Sequence, residues 1–260
     1  MNEQIHLRSR APMRSCLAEM WEGFVGCEKR IETLGPFIEQ RIADFESPRI
    51  LDAAMGIGCE VVYLVSHGYS VVGNEICEDL LRIARRRGAR CGLSLNTMSI
   101  NWLSLNQSSL HTQFDVILLL GNSLCLLLDK NERRQALENM FEICRDNGVL
   151  LIDERNFPYI QSQRDKLRNG QFNYSRGVMY CGERVEGRPS IVKDERVVFT
   201  YRDTKTRKFV GELEMYAFSR GELISIAEGV GWNHVMTYSD LSIDEKENAE
   251  FLTHVFRRTV

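Results

Sequence analysis

From residue 49 to residue 153 short apolar runs alternate with helical stretches, and this alternation constrains the fold more than any other feature of the chain. Arg49-Ile50-Leu51-Asp52 reads as a first strand and Gly58 to Ser66 as the helix after it. Ser70 to Glu75 and Glu78 to Arg87 repeat the unit, a third strand falls near Leu95 to Ile100, and Phe114 to Leu120 is a strongly apolar fourth. A helix from about 130 to 145, stopped by Gly148, leads into a fifth strand at Val149 to Asp153. Strands buried on both faces and joined by helices build a doubly wound sheet.

The flanking segments read differently. Residues 15–44 are helical, with apolar positions from Leu17 to Ile38 interleaved with charge. Residues 171–218 hold alternating segments, including Val197 to Tyr201 and Phe209 to Tyr216, that read as antiparallel hairpins. Gly221 to Gly229 returns to helix and Phe251 to Arg257 alternates as a last strand. The expected architecture is therefore α/β: a Rossmann-like doubly wound mixed sheet with N-terminal helices and an inserted antiparallel hairpin lid. Its units are a helical cap (1–48), a Rossmann-like core (49–170), the lid (171–218) and a C-terminal completion of the core (219–260).

Composition narrows the function classes. Apolar residues at 43% and charged ones at 27% allow a real core, and 33 Lys+Arg against 36 Asp+Glu leave a net charge of -3, without the basic excess of a general nucleic-acid binder. The arginines at 82, 85, 86, 87 and 90 read as the solvated end of a helix, where cations suit the dipole. No apolar run approaches the roughly 18–20 residues of a membrane span, and the first residues do not read as a secretory signal. Eight cysteines without a CxxC pair read as reduced, buried thiols in a cytoplasm, and five scattered histidines give no metal site.

The chemistry concentrates where strands end. Asp52-Ala53-Ala54-Met55-Gly56-Ile57-Gly58 follows the first strand, and glycines at 56 and 58 let the backbone turn tightly and approach a ligand. Glu75 ends the next strand, placed to accept both hydroxyls of a ribose. Dinucleotide fingerprints require a third glycine where this chain has Val61. An acidic residue four positions before Gly56, with small Ala53 and Ala54 between, is instead the pattern of S-adenosylmethionine binding, with Asp52 near the cofactor's cationic amino-acid end.

These motifs, followed by Ile100-Asn101-Trp102, LLGNSLCLL (119–127) and IDERNFPYI (152–160), resemble class I methyltransferases in order and spacing, and the last three resemble glycine N-methyltransferase. MWEGFVGCEKR (20–30) is similar to that family's N-terminal segment, and MYCGERVEGRPSIV (179–192) and ELEMYAFSRGEL (212–223) to its lid and following strand. The resemblance implies that Ala54, Gly56, Gly58, Glu75, Asn101, Trp102 and Leu120 surround the cofactor, with Trp102 near the adenine and Asn101 reading its edge. Lys29 or Arg30 meets the methionine carboxylate, and Trp21 and Phe24 close over the site. It further implies that Arg155 grips the carboxylate of an amino-acid acceptor, that Asn122 orients its amine, and that Tyr180 (or Tyr174) and Tyr216 belong to the acceptor pocket. A homo-oligomer is implied as well.

One departure concerns the acceptor. The family's GNSFAH is here Gly121-Asn122-Ser123-Leu124-Cys125-Leu126, so leucine replaces histidine and the pocket is more apolar. The expected function is methylation of the amine of a small molecule, an amino acid first. Two alternatives stand beside it: a cyclase in which the cofactor's own amine displaces methylthioadenosine, and a binding protein without catalysis.

Overall fold

The computed structural model describes residues 15–169, 177 and 179–259. Two helices open the chain, α1 (Ser15–Val25) and α2 (Cys27–Ile42). The sequence reads as one helical stretch here, but Gly26 takes φ 61° and breaks it, because only glycine enters the left-handed region without a Cβ penalty. The core then follows the alternation: β1 (Arg49–Asp52), α3 (Cys59–Ser66), β2 (Ser70–Asn74), α4 (Glu78–Arg90), β3 (Asn96–Met98), the short α5 (Gln107–Leu110), β4 (Phe114–Leu119), α6 (Lys130–Ile143) and β5 (Cys144–Arg155). After α7 (Phe157–Ser162) and α8 (Arg164–Arg168) come the lid strands β6 (Val185–Lys193), β7 (Arg196–Asp203) and β8 (Phe209–Tyr216). The chain closes with α9 (Glu222–Glu228), β9 (Trp232–Ser239) and β10 (Phe251–Arg258).

The main sheet has seven strands in the order β3-β2-β1-β4-β5-β10-β9, in which β10 alone is reversed, lying antiparallel between β5 and β9. The strand order reverses between β1 and β4, and in such a sheet the crevice beyond the strand ends at that point is where ligands bind. The lid is a separate antiparallel sheet, β6-β7-β8. Cap and lid are laced together by main-chain bonds: Cys181 N donates to Val25 O (2.9 Å), Gly182 N to Phe24 O (3.0 Å) and Arg184 N to Gly23 O (3.1 Å).

Several expectations are corrected. Gly148 does not stop a helix; it lies inside β5, where a Cβ would stand 2.9 Å from Asp115 O and 2.5 Å from Cys144 Sγ. Arg87 is not simply solvated, since it pairs with Glu22 of α1 and Glu28 of α2 and ties α4 to the cap. Nor are all thiols reduced: Cys27 and Cys59, the first residues of α2 and α3, form a disulfide with Cα atoms 5.2 Å apart. Among the described residues no helix is long and apolar enough to cross a membrane.

Candidate active site

The two glycines after β1 do different work. Gly56 has φ 52°, and the space its Cβ would fill holds no atom within 4 Å, so it opens onto a ligand-sized cavity. Gly58 has φ 79° and faces inward, where a Cβ would come within 2.9 Å of Ala84 on α4; its small size lets α3 and α4 approach. Beside Gly56 the Glu75 carboxylate accepts from Gly56 N (3.1 Å) and Cys77 N (2.7 Å). Burial pushes this carboxyl upward, against those two donors. Asn74, not singled out in the sequence, buckles the neighbouring loops by donating to Ala53 O and Ile100 O and accepting from Ile100 N.

The cavity measures about 860 Å³ and runs from this turn to the lid. Trp21, Ala54, Gly56, Glu75, Asn101, Trp102 and Leu120 all line it, as do Arg30, Asn122 and Tyr180. Trp102 donates its indole N–H to Ala53 O (2.8 Å), which fixes the ring, while Asn101 spends its amide oxygen on Leu103 N (2.9 Å) as a helix cap rather than on a base edge.

At the cap end the choice between Lys29 and Arg30 is settled by position. Lys29 is exposed and does not line the cavity. Arg30 is buried, bonds Glu60 (Nε to Oε1, 2.6 Å) and donates to Met179 O. Burial opposes its charge, but Glu60, Tyr180 and Asp153 outweigh that and hold it more firmly protonated. Asp52 is corrected in role: it is buried beneath the turn, accepts from Ala54 N (3.2 Å) and does not line the cavity. Desolvation, with Glu60 nearby, pushes its carboxyl well up; Glu60, unlike Asp52, lines the cavity. An acidic residue in the first turn of α3, two positions after Gly58, is the sequence signal that would have found it.

At the lid end the geometry centres on a turn after β4. Gly121 (φ 79°) and Asn122 (φ 59°) are both left-handed. The Asp153 carboxylate accepts from both of their N–H groups. Asn122 Oδ1 accepts from Arg155 N (2.9 Å) and Nδ2 donates to Met215 Sδ (3.3 Å) of the lid. Tyr180 donates its hydroxyl to Gly121 O (2.7 Å), and its ring stacks on Phe24 (4.4 Å between centroids). Tyr201, missed in the sequence, packs edge-on against Trp21 (5.5 Å) and Phe24 (5.0 Å) and completes an aromatic box. Burial pushes the Tyr180 phenol upward, so it stays protonated.

Two expected acceptor residues stand elsewhere. Tyr216 donates to Glu222 Oε1 (2.6 Å), carries the Arg133 guanidinium 3.5 Å above its ring and does not line the cavity. Arg155 is buried behind Tyr180, Phe199 and Phe251, is paired with Glu250 (3.3 Å) and does not line the cavity either. Phe24 backs the cavity through Tyr180 rather than lining it. Tyr174 lies outside the described residues.

Asp153 gives the turn a pH dependence. Burial raises its carboxyl to about 6, against the pull of the Asn122 and Gly121 N–H groups and Arg30. Protonation removes an acceptor from the two N–H groups, so kcat/KM is expected to fall below about pH 6, with that limb lost in Asp153→Asn. Stability runs the other way. A carboxyl raised from 3.8 to about 6 contributes most below the lower value, and the contribution is lost as pH rises through the upper one. Thermal melts and rate profiles over the same window check both signs; an acid limb that persists in the Asn variant contradicts the assignment.

Comparison with known proteins agrees with this geometry. Residues 50–148 match the methyltransferase domain family. The chain is 28% identical over 238 residues to the glycine/sarcosine N-methyltransferase of Halorhodospira halochloris, covering 91% of this chain and 85% of that one. It is 31% identical over 156 residues to the glycine N-methyltransferase of Mus musculus, covering 56% of this chain and about half (53%) of the mouse protein. Among solved structures, an S-adenosylmethionine-dependent methyltransferase from Clostridium acetobutylicum superposes with a TM-score of 0.70 at 16% identity, over 94% of this chain and 98% of that one, which shows the shared fold. The sheet and the glycine turn carry the fold that S-adenosylmethionine-dependent methyltransferases share, and S-adenosylmethionine is the cofactor that the matched domain implies. Over 91% of its length the chain is similar to glycine/sarcosine N-methyltransferases, at 28% and 27% identity. The cyclase and binding-only readings gain no support from these relatives.

Proposed function

We propose that the protein methylates the amine nitrogen of a small molecule of amino-acid size. The observation that carries this is the aromatic-walled lid end of the cavity, where Asn122 and the Tyr180 hydroxyl meet at Gly121. S-adenosylmethionine, when bound, supplies an electrophilic methyl group on a sulfonium. Its ribose hydroxyls would be held by Glu75, its adenine by Trp102, and its amino-acid carboxylate by Arg30. The relatives named as glycine N-methyltransferases support an amine of this size as acceptor.

The chain's own residues orient rather than ionise. Tyr180 stays protonated and serves as no base, so the amine enters neutral. The phenol oxygen and the amide of Asn122 are the groups near enough to direct its lone pair. Trp21 and Tyr180 line the cavity with Phe24 and Tyr201 packed behind them, an aromatic wall that would exclude water. Fixed orientation of this kind is worth up to roughly 7–11 kcal/mol of a bimolecular barrier.

The test is incubation of the purified protein with cofactor and a panel of small amines, with both sulfur and amine products identified by mass spectrometry. S-adenosylhomocysteine equimolar with one N-methylated amine is expected. Methylthioadenosine formed without any acceptor, or cofactor bound but never consumed across the panel, overturns the proposal.

A further inference from the structure

Arg155 already has a carboxylate partner. Its Nη1 lies 3.3 Å from Glu250 Oε1, and the two side chains are 3% and 1% exposed. Three rings, Tyr180, Phe199 and Phe251, lie within 5.0 Å of the guanidinium carbon. Glu250 cannot swing away easily: its N–H donates to Asp240 Oδ1 (2.8 Å) and its carbonyl accepts from Asn156 N (3.0 Å), so the backbone is pinned on both sides just before β10. A second carboxylate brought to this guanidinium would leave an excess negative charge in a dry, aromatic surrounding, where an uncompensated charge is costly.

The cavity lining does not compensate. Besides Arg30, the described cation lining the cavity is Arg196 on β7, and it is paired with Glu214 at 3.5 Å. Asp129, Glu132 and Glu212 line the same region. Leu126, at the cavity wall, is apolar. At the cap end Arg30, paired with Glu60, is the cation assigned above to the cofactor's own carboxylate.

We infer that Glu250 is a specificity-determining residue that holds Arg155 in an ion pair away from the cavity, so that the site selects small amines whose neighbouring carboxyl is masked, as in an amide, over free α-amino acids. This rests on the amine-methylation reading above and narrows its substrate class. Glu250 acts through Arg155 on which amine is accepted, and takes no part in the transfer itself.

The test uses the full chain and a matched pair of acceptors, glycine and glycinamide, which differ in the carboxylate alone at the end away from the amine. Because their amines also differ in basicity, the readout is the ratio of kcat/KM for the two in wild type, divided by the same ratio in Glu250→Gln. Gln keeps the shape and removes the charge. The double ratio is expected to shift toward glycine by about tenfold or more, and Glu250→Asp, which keeps the charge, is expected to stay with wild type. An unchanged double ratio, or a wild type that prefers glycine, overturns the inference.

A second measurement needs no turnover and no variant. Calorimetric titration of wild type, saturated with S-adenosylhomocysteine, with the same two ligands is expected to show glycinamide binding at least tenfold tighter; equal affinity, tighter glycine, or no binding of either overturns the inference. If neither compound is methylated and no other amine yields S-adenosylhomocysteine, the function proposal fails, while the titration still decides the role of Glu250.

Discussion

Asn122→Ala is expected to lower kcat for the amine by about 10²–10³-fold while changing cofactor affinity less than about threefold. Asn122 holds three things at once: a left-handed backbone, the Arg155 N–H and the lid through Met215. Alanine at φ 59° costs roughly 1–2 kcal/mol, and leaving the buried Arg155 N–H without its acceptor costs about 1–3 kcal/mol more. The sum falls on the turn where the amine must sit. Asn122→Gly separates the contributions, because it relieves the backbone and still loses both side-chain bonds. Steady-state kinetics with an equilibrium cofactor titration checks the pair. A kcat within about twofold of wild type in the alanine variant contradicts the role given to Asn122.

Gly182→Ala is the second large effect, and it acts on closure rather than on orientation. A Cβ at this position would lie 2.6 Å from Gly23 C and 2.7 Å from Phe24 C, both main-chain atoms of the cap helix that cannot step aside as a flexible side chain could. The ladder joining residues 181–184 to residues 23–25 must then separate. That ladder sets Phe24 against Tyr180 and, through Met179 O, fixes Arg30. A loss of about 2–4 kcal/mol is expected, in the range of overpacked cores. Because it falls on the cap-to-lid contact, KM for cofactor and amine should both rise tenfold or more, well beyond any change in kcat at saturation. A lowered melting temperature with unchanged KM values would show that the ladder supports folding without closing the site.

The core was legible because parallel strands covered on both faces are continuous apolar runs, and because the turn at 52–58 combines an acid, small residues and two glycines in one loop. What escaped has physical reasons. β6 contains Gly187 and Pro189, which argue against a strand, yet it is an edge strand with a register shift at Pro189, where the missing N–H costs little. β9 is an edge strand too, and its register slips between Val255 and Phe256 of its partner, so Val235 and Met236 are both exposed and the period of two is lost. The break at Gly26 is a matter of one dihedral angle.

The site divides the same way. Glu75, Trp102, Asn122 and Tyr180 could be placed from strand ends and resemblance. The partner of Arg155 could not be read from the sequence, where the adjacent acids are Asp153 and Glu154. Strand alternation sends Glu154 to the opposite face, where it meets His254 (3.1 Å), and Asp153 is occupied by the turn at 121–122, leaving Glu250, 95 residues on, as the partner. The disulfide between Cys27 and Cys59 was hidden for a similar reason: it joins two helix starts that only the folded cap brings together.

The central claim is that the cavity transfers a methyl group from the cofactor to an amine oriented at Gly121 and Asn122. A single-turnover experiment with methyl-labelled S-adenosylmethionine, excess enzyme and the best amine tests it most directly. Label is expected on the amine nitrogen at the rate at which S-adenosylhomocysteine forms, and Asn122→Ala is expected to slow both together. Label retained in a methylthio product, or in unreacted cofactor after the amine has been bound, would contradict it.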